Sequence, residues 1–354
     1  MSAHVLLARQ DSAGDVLLAG PAVRAVAARA DRITFLCGRR GRAAAELLPG
    51  VDAIVERTVA WIDPHPEPVD PDETAAFVEE LRVLGVDEAI VLTSFHQSAL
   101  PLALLLRLAG VTTIAAISDD YPGSLLDVRH RIEEEVHEVE RALSLVATLG
   151  YRLPEDDDGR LAVRRPGGPV PVEGSYVVVH PGTSVPARAW PPDRHAALVE
   201  ALTARGDAVV VTGSGDETEL TQRVAGETAL DLGGQTTLAE LADVLAGADA
   251  VVVGNTGPAH LAAAVGTRIV SLFAPTVPAV RWRPWRVPHA LLGDQDAPCA
   301  GSRATVCPVP GHPCLGSVAV ADVLAALDDV RRLEPAEVER SRVRSRKHGL
   351  GVIG

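Results

Sequence analysis

One stretch of this chain has the residue types and spacing to hold an anion. In Val251–Phe273 (VVVGNTGPAHLAAAVGTRIVSLF) a buried strand, 251–253, turns through Gly254–Pro258 into an apolar helix, 260–265, and then a second strand, 269–273. A helix entered so abruptly leaves its first N–H groups unpaired, with the positive end of its dipole beside them. Phosphates bind such ends. Asn255 adds an amide or an N-cap and Thr256 a hydroxyl, Gly257 allows close backbone approach, Pro258 suits the first turn, and His260 is expected near the mouth. The same pattern also serves a plain strand-to-helix connection, so other loops must decide between the two.

Three further loops join it. Strand 176–179 runs into HPGTSVPARAW, where Thr183 and Ser184 offer hydroxyls. Arg188 can grip a phosphate through two N–H groups, or stack on Trp190. Strand 208–212 ends in Gly213-Ser214-Gly215-Asp216-Glu217; Glu217 can accept from ribose hydroxyls or merely favour the next helix start. Strand 229–232 runs through Gly233, Gly234, Gln235, Thr236 and Thr237 into helix 238–246. In a doubly wound sheet such loops share one edge. Their convergence predicts a nucleotide diphosphate in the second half of the chain.

The N-terminal half offers a different chemistry. Strand 5–8 enters the loop Gln10–Asp15, which carries Ser12 and Gly14 before a helix expected over 16–30. Asp15 is either a cap stabilised by the dipole or a general base at the sheet edge. His96 lies in a polar loop after strand 88–92.

The elements that position these residues follow from patterning. Strands at 32–37, 53–55, 88–92 and 112–117 alternate with helices at 41–48, 72–84 and 99–109, which predicts a parallel, doubly wound α/β sheet. Residues 129–149 read as one long helix with a charged outer face. His130 and His137, seven apart, share that face without metal-type spacing. Composition changes over 151–174, where Asp156-Asp157-Asp158 reads as a solvated loop, and the domains are placed at 1–165 and 166–335, followed by a basic tail at 336–354.

Composition bounds the function. The 354 residues are 47% hydrophobic but only 3% aromatic, so Ala, Val and Leu must fill the core. A net charge of −14, with no basic concentration before the C-terminus, argues against a nucleic-acid partner. No apolar run is long enough to span a membrane, the first residues lack a signal-peptide pattern, and four Cys are few for a disulfide scaffold; a cytoplasmic protein is expected. Arg340, Arg342, Arg344, Arg346 and Lys347 leave peripheral membrane contact as the most the tail would make.

These blocks together resemble glycosyltransferase family nine, the bacterial ADP-heptose heptosyltransferases. The matching segments are DSAGDVLLAGPAV (11–23), HPGTSVPARAWP (180–191), TGSGDE (212–217), GGQTTLAELADVLAGAD (233–249), GNTGPAHLAAAVGT (254–267) and CPVPGHPC (307–314). The resemblance implies a GT-B fold, two Rossmann-like domains facing a central cleft. The first domain would receive the acceptor, with Ser12, Gly14 and His96 on that side. The second would bind the nucleotide sugar, and the last helix, about 319–333, would return toward the first. It implies Asp15 as catalytic base, Arg188 in place of a family Lys at the diphosphate, and Thr183 and Ser184 as phosphate-binding hydroxyls. Glu217 would hold the ribose and Thr256, Gly257 and His260 the diphosphate, with Gly213, Thr236 and Pro258 also on the donor side. Asn255 departs from the family, which commonly has Asp there. It keeps hydrogen bonding and loses charge, which puts the sugar's identity in question.

The function expected is inverting, metal-independent transfer of a sugar, a heptose from ADP-heptose, to a hydroxyl on a glycolipid, polysaccharide or natural product, with no cofactor. The alternatives are a nucleotide-sugar epimerase of similar fold and a non-catalytic nucleotide-sugar-binding protein. Cys299, Cys307, Cys314 and His312 form a weak zinc candidate, their spacings being longer than usual knuckle pairs.

Overall fold

The computed structural model describes residues 3–168 and 172–333. The chain divides into two compact units, Met1–Arg164 and Arg165–Gly354. The proposed basic tail lies outside the described residues.

The first unit holds six strands: β1 (His4–Ala8), β2 (Arg32–Cys37), β3 (Ala53–Glu56), β4 (Glu88–Val91), β5 (Thr113–Ile117) and β6 (Val128–His130). They pair in parallel in the order β3-β2-β1-β4-β5-β6. The second holds β7 (Tyr176–His180), β8 (Ala208–Val211), β9 (Leu230–Asp231), β10 (Ala250–Gly254), β11 (Arg268–Leu272) and β12 (His289–Leu292). These are also parallel, in the order β12-β11-β10-β7-β8-β9. β7 is buried along its whole length and β10 up to Val253. Near-continuous Val runs fit because helices cover both sheet faces. Each fully buried Val or Leu contributes about 1.5–3 kcal/mol.

In both sheets the strand order reverses at one place, between β1 and β4 and between β7 and β10. Loops leaving neighbouring strands there diverge and open a crevice at their carboxyl ends. The candidate loops Gln10–Asp15 and Thr93–Gln97 follow β1 and β4; His180–Trp190 and Asn255–Pro258 follow β7 and β10.

Three sequence expectations are corrected. The helix expected over 16–30 is two, Ala13–Leu18 and Gly20–Ala27, because Pro21 starts a new helix where its missing N–H does no harm. The long helix expected over 129–149 is strand β6 followed by a helix at Glu138–Thr148. That helix starts late because His137 forms a capping box. Its Nδ1 accepts from Val139 N–H at 3.2 Å, and Glu140 accepts from His137 N–H at 3.1 Å. His130 and His137 therefore share no helix face. The acidic run is not simply solvated, since Asp157 forms a bidentate pair with Arg24 at 2.6 and 2.9 Å.

The helix Val320–Arg332 packs on β10, β11 and β12 of its own unit. Arg331 near its end pairs with Asp249 at 2.6 Å and Asp207 at 2.8 Å, placing cationic charge where the helix dipole is negative.

Candidate functional site

At the β1/β4 edge the chain builds a compact ionic cluster around Arg9, the first residue after β1. Arg9 is 5% exposed. Its guanidinium reaches Asp11 at 2.7 Å, Asp15 at 3.0 Å and Glu138 at 3.4 Å, and donates to Ser94 at 2.8 Å. Ser94 in turn donates to Asp11 at 2.9 Å. Glu138 also pairs with Arg141 at 3.2 Å. One buried cation thus ties together the loops after β1 and β4 and the start of the helix at Glu138.

Asp15 stands in the first turn of Ala13–Leu18, but it is not the cap. Ser12 is the N-cap, its hydroxyl accepting from Asp15 N–H at 3.4 Å and lying 2.6 Å from Asp15 Oδ2 as donor. Asp15 Oδ1 faces Arg9 and Oδ2 faces Ser12, so both oxygens are oriented. Gly14 is buried beside it. His96 is exposed and set edge-on to Phe95 at 5.4 Å. Burial pushes the Asp11 carboxyl up to about 6, against the opposing pull of Arg9.

At the β7/β10 edge the loops meet one another. Arg188 Nη1 donates to the Asn255 carbonyl at 3.4 Å. Glu217 lies across Gly182, so closely that a Cβ on that glycine would collide with its carboxylate. Gly234, in the left-handed region at φ 69°, abuts Gly215. The four loops singled out in the sequence are therefore one contiguous surface. Glu217 also accepts from Ser214 N–H at 2.8 Å, closing a capping box, so it does serve the helix start. Thr183 Oγ1 accepts from Val185 N–H at 3.2 Å, which shapes its own loop, and Ser184 is exposed. Gly213 and Thr236 lie in the loops that meet at Glu217 and Gly234.

Asn255 is 6% exposed, and neither its amide nitrogen nor its oxygen has a hydrogen-bond partner among the described residues. Thr256 Oγ1 is likewise buried and unpartnered. Thr256 is the N-cap of the helix Gly257–Ala264 but caps it with no side-chain bond, and Pro258 sits in the first turn. Buried polar groups are normally satisfied, and two donors left unpartnered at one helix N-terminus, Asn255 Nδ2 and Thr256 Oγ1, suit an anion. His260, expected at the mouth, is buried instead at 5% exposure, inside the helix.

Beneath this surface lie two neutral imidazoles. Burial lowers His180 to about 4 despite the carboxylate of Glu217, and lowers His195 to about 3. His180 Nδ1 is 2.9 Å from Thr212 Oγ1, and His195 packs edge-on to Trp190 at 4.8 Å.

The three late cysteines lie near one another but not as a metal-holding set. Among the described residues no group of three or more His, Cys, Asp or Glu is placed to hold a metal ion. His312 Nε2 lies 3.1 Å from the Ala187 carbonyl, and burial, with Cys299 and Cys307 nearby, raises the Cys314 thiol to about 11. Cys299 and Cys314 instead belong to the apolar core of the second unit.

The sequence reading missed Arg9, Asp11, Ser94 and Glu138. The available signal was an Arg placed directly after an apolar strand and two residues before an Asp.

The fold fits known relatives. The family model for glycosyltransferase family 9 (heptosyltransferase) matches residues 74–311, and the chain belongs to that family. Lipopolysaccharide heptosyltransferase 1 of Pseudomonas aeruginosa is 34% identical over 241 residues, covering 64% of this chain and 65% of that protein. Lipopolysaccharide heptosyltransferase 3 of Escherichia coli is 31% identical over 163 residues, covering 44% and 46%. The chain thus spans about half to two thirds of these two relatives. Lipopolysaccharide heptosyltransferase 1 of E. coli K12 is matched more fully, at 28% identity over 78% of this chain and 89% of that protein. Among solved structures, a family 9 glycosyltransferase from Veillonella parvula superposes with a TM-score of 0.73 at 17% identity, covering 93% and 97%. E. coli ADP-heptose LPS heptosyltransferase II gives 0.70 at 20%, covering 94% and 98%. The fold is GT-B, with a Rossmann-like sheet in each unit. The family match begins at residue 74, so Asp15 lies outside it.

Proposed function

We propose that this chain is an inverting glycosyltransferase that moves a heptose from ADP-heptose to an acceptor hydroxyl. The observation that carries the proposal is the unsatisfied set Asn255 and Thr256 at the start of Gly257–Ala264, beside Arg188. A donor diphosphate would supply the missing acceptors for the Asn255 amide, the Thr256 hydroxyl and the first helical N–H groups. Arg188 and the helix dipole would meet the charge that grows on the leaving phosphate, which calls for no metal. Glu217 would take the ribose hydroxyls. The heptose donor is supported by family membership and by the ADP-heptose named for the E. coli relative.

Asp15 is the proposed base. It would take the acceptor O–H proton as that oxygen bonds to the anomeric carbon from the face opposite the diphosphate. The bond from anomeric carbon to phosphate oxygen breaks in the same step, and ADP leaves with the electron pair. Arg9 and Ser12 would hold the carboxylate in its attacking orientation.

The acceptor is a hydroxyl on a glycolipid, polysaccharide or natural product, and the site of action is the cytoplasm. No helix among the described residues is long and apolar enough to cross a membrane. Titrating ADP, GDP, UDP and TDP into the full chain tests the donor assignment. ADP should bind about tenfold or more tightly than the others; equal binding of all four would remove the adenine preference, and binding of none would remove the proposal.

A further inference from the structure

The first unit contains a cavity of about 310 Å³ that the proposed chemistry does not use. It opens in the loop after β3 and is walled by the helices Pro71–Leu84 and Leu100–Leu108. Its size is at the lower end for small-ligand pockets. Trp61 and Phe77 give it an aromatic wall.

Its charge is mostly negative, with His65 also in the lining. Four carboxylates line it, Asp63, Glu67, Asp70 and Glu73, against one guanidinium, Arg57. Arg57 is already committed, pairing with Glu80 at 3.1 Å and lying over the Phe77 ring at 5.0 Å. Asp63 and Asp70 are partly used, accepting from His65 N–H at 2.8 Å and from Asp72 and Glu73 N–H at 2.8 and 2.9 Å. The side chains of Glu67 and Glu73 make no hydrogen bond or ion pair with another described residue. An aromatic wall beside free carboxylates attracts an ammonium through the ring face and through direct charge pairing. It repels phosphate and carboxylate groups.

One hydrogen bond ties the rim of the cavity to the loop after β1. Gln10, in the loop that ends at Asp15, donates from Nε2 to the Arg57 carbonyl at 3.1 Å.

We infer that this cavity binds an amine-bearing sugar or aminocyclitol ring of the acceptor, so that the acceptor is cationic at this end rather than phosphorylated. The inference rests on the reading of the first unit as the acceptor side. The occupant is recognised by ammonium–carboxylate pairing to Glu67 and Glu73 and by its apolar face on Trp61.

The test is calorimetric binding to the full chain, with no turnover required. The probes are neamine, its fully N-acetylated form and glucose 6-phosphate. Wild type should bind neamine, lose about tenfold or more on N-acetylation and show no binding of the phosphate, with affinity falling as salt rises. The double variant E67Q/E73Q, which keeps size and removes charge, should lose about tenfold of neamine affinity. W61A should lose a similar amount even at high salt. ADP affinity should be unchanged in both variants, which separates this pocket from the donor site. Equal binding of neamine and its N-acetylated form, preference for the phosphate, no binding of neamine, or an unaffected E67Q/E73Q would each overturn the inference. A wild type that binds neamine but not ADP would instead sink the donor assignment.

Discussion

Arg9 Nη2 lies 3.0 Å from Asp15 Oδ1, so the carboxylate proposed as base is anchored by a guanidinium that is itself almost wholly buried. The same guanidinium holds Asp11 and Glu138, which makes Arg9 the common support of three carboxylates. Removing it takes that cation from Asp11 and Asp15, while Glu138 keeps Arg141. Arg9→Ala should therefore destabilise the first unit by about 3–5 kcal/mol, because an uncompensated buried charge is more costly than a lost pair. Arg9→Lys should cost less, since one ammonium keeps the charge but cannot span all three partners. Urea unfolding followed by circular dichroism would measure both; a loss for Arg9→Ala below about 1 kcal/mol would mean that the cluster does not support the loop.

Asn255 separates binding from stability. Its buried amide has no partner among the described residues, so in the free protein it is a cost, and with an anion bound it is a donor. Asn255→Leu should leave the thermal midpoint unchanged or raised while weakening ADP by about tenfold or more, the range for a hydrogen bond to a charged group. If instead stability falls and ADP binding is retained, the amide serves the fold and not the ligand.

Gly182 tests the contact between two loops. Because a Cβ there would strike the Glu217 carboxylate, Gly182→Ala must push Glu217 aside. The expected result is a loss of about 1 kcal/mol or less, since only the end of the Glu217 side chain must swing away and give up its capping bond, together with weaker binding of ADP and a smaller effect on ADP with its ribose hydroxyls removed. Adenosine 5′-diphosphate and its 2′,3′-dideoxy analogue, titrated side by side, make that comparison.

Acid should loosen the second unit early. His180 and His195 are held neutral, at about 4 and about 3, whereas an unfolded His titrates near 6.5. The folded state therefore binds fewer protons, and these groups make stability fall as pH drops from about 6.5 toward 4. Asp11 acts in the opposite sense in the first unit. Its carboxyl is raised to about 6, so the folded state binds more protons there, and ionising it costs stability as pH rises from about 4 to about 6. Thermal melts at half-unit pH steps should show the acid loss reduced in His195→Phe and the rise-related loss absent in Asp11→Asn. Unchanged pH profiles in both variants would contradict these assignments.

The sheets and the donor loops were legible in the sequence because each rests on a local rule. Val runs such as Tyr176–Val179 and Val251–Val253 give strands, and Gly, Ser and Thr after them give strand-end turns. The helix at Glu138 was not legible, since a capping box using His137 looks like no standard cap and the preceding glutamates extend the helical pattern. The Arg9 cluster was hidden for another reason. Its members, at positions 9, 11, 15, 94 and 138, meet only through the strand order β1-β4 and a distant helix. The burial of His260 likewise depends on packing around the helix rather than on its place after Pro258.

The most direct test of the account is ADP release from ADP-heptose in the presence of a competent acceptor, compared between wild type and Asp15→Asn. Asp15→Asn keeps the shape and the hydrogen bond from Ser12 but removes the base. Turnover should fall by about 10²–10⁴-fold, the usual share of a general base, while ADP affinity stays within about twofold of wild type. Turnover surviving at the wild-type rate with normal ADP affinity would contradict the account at its centre.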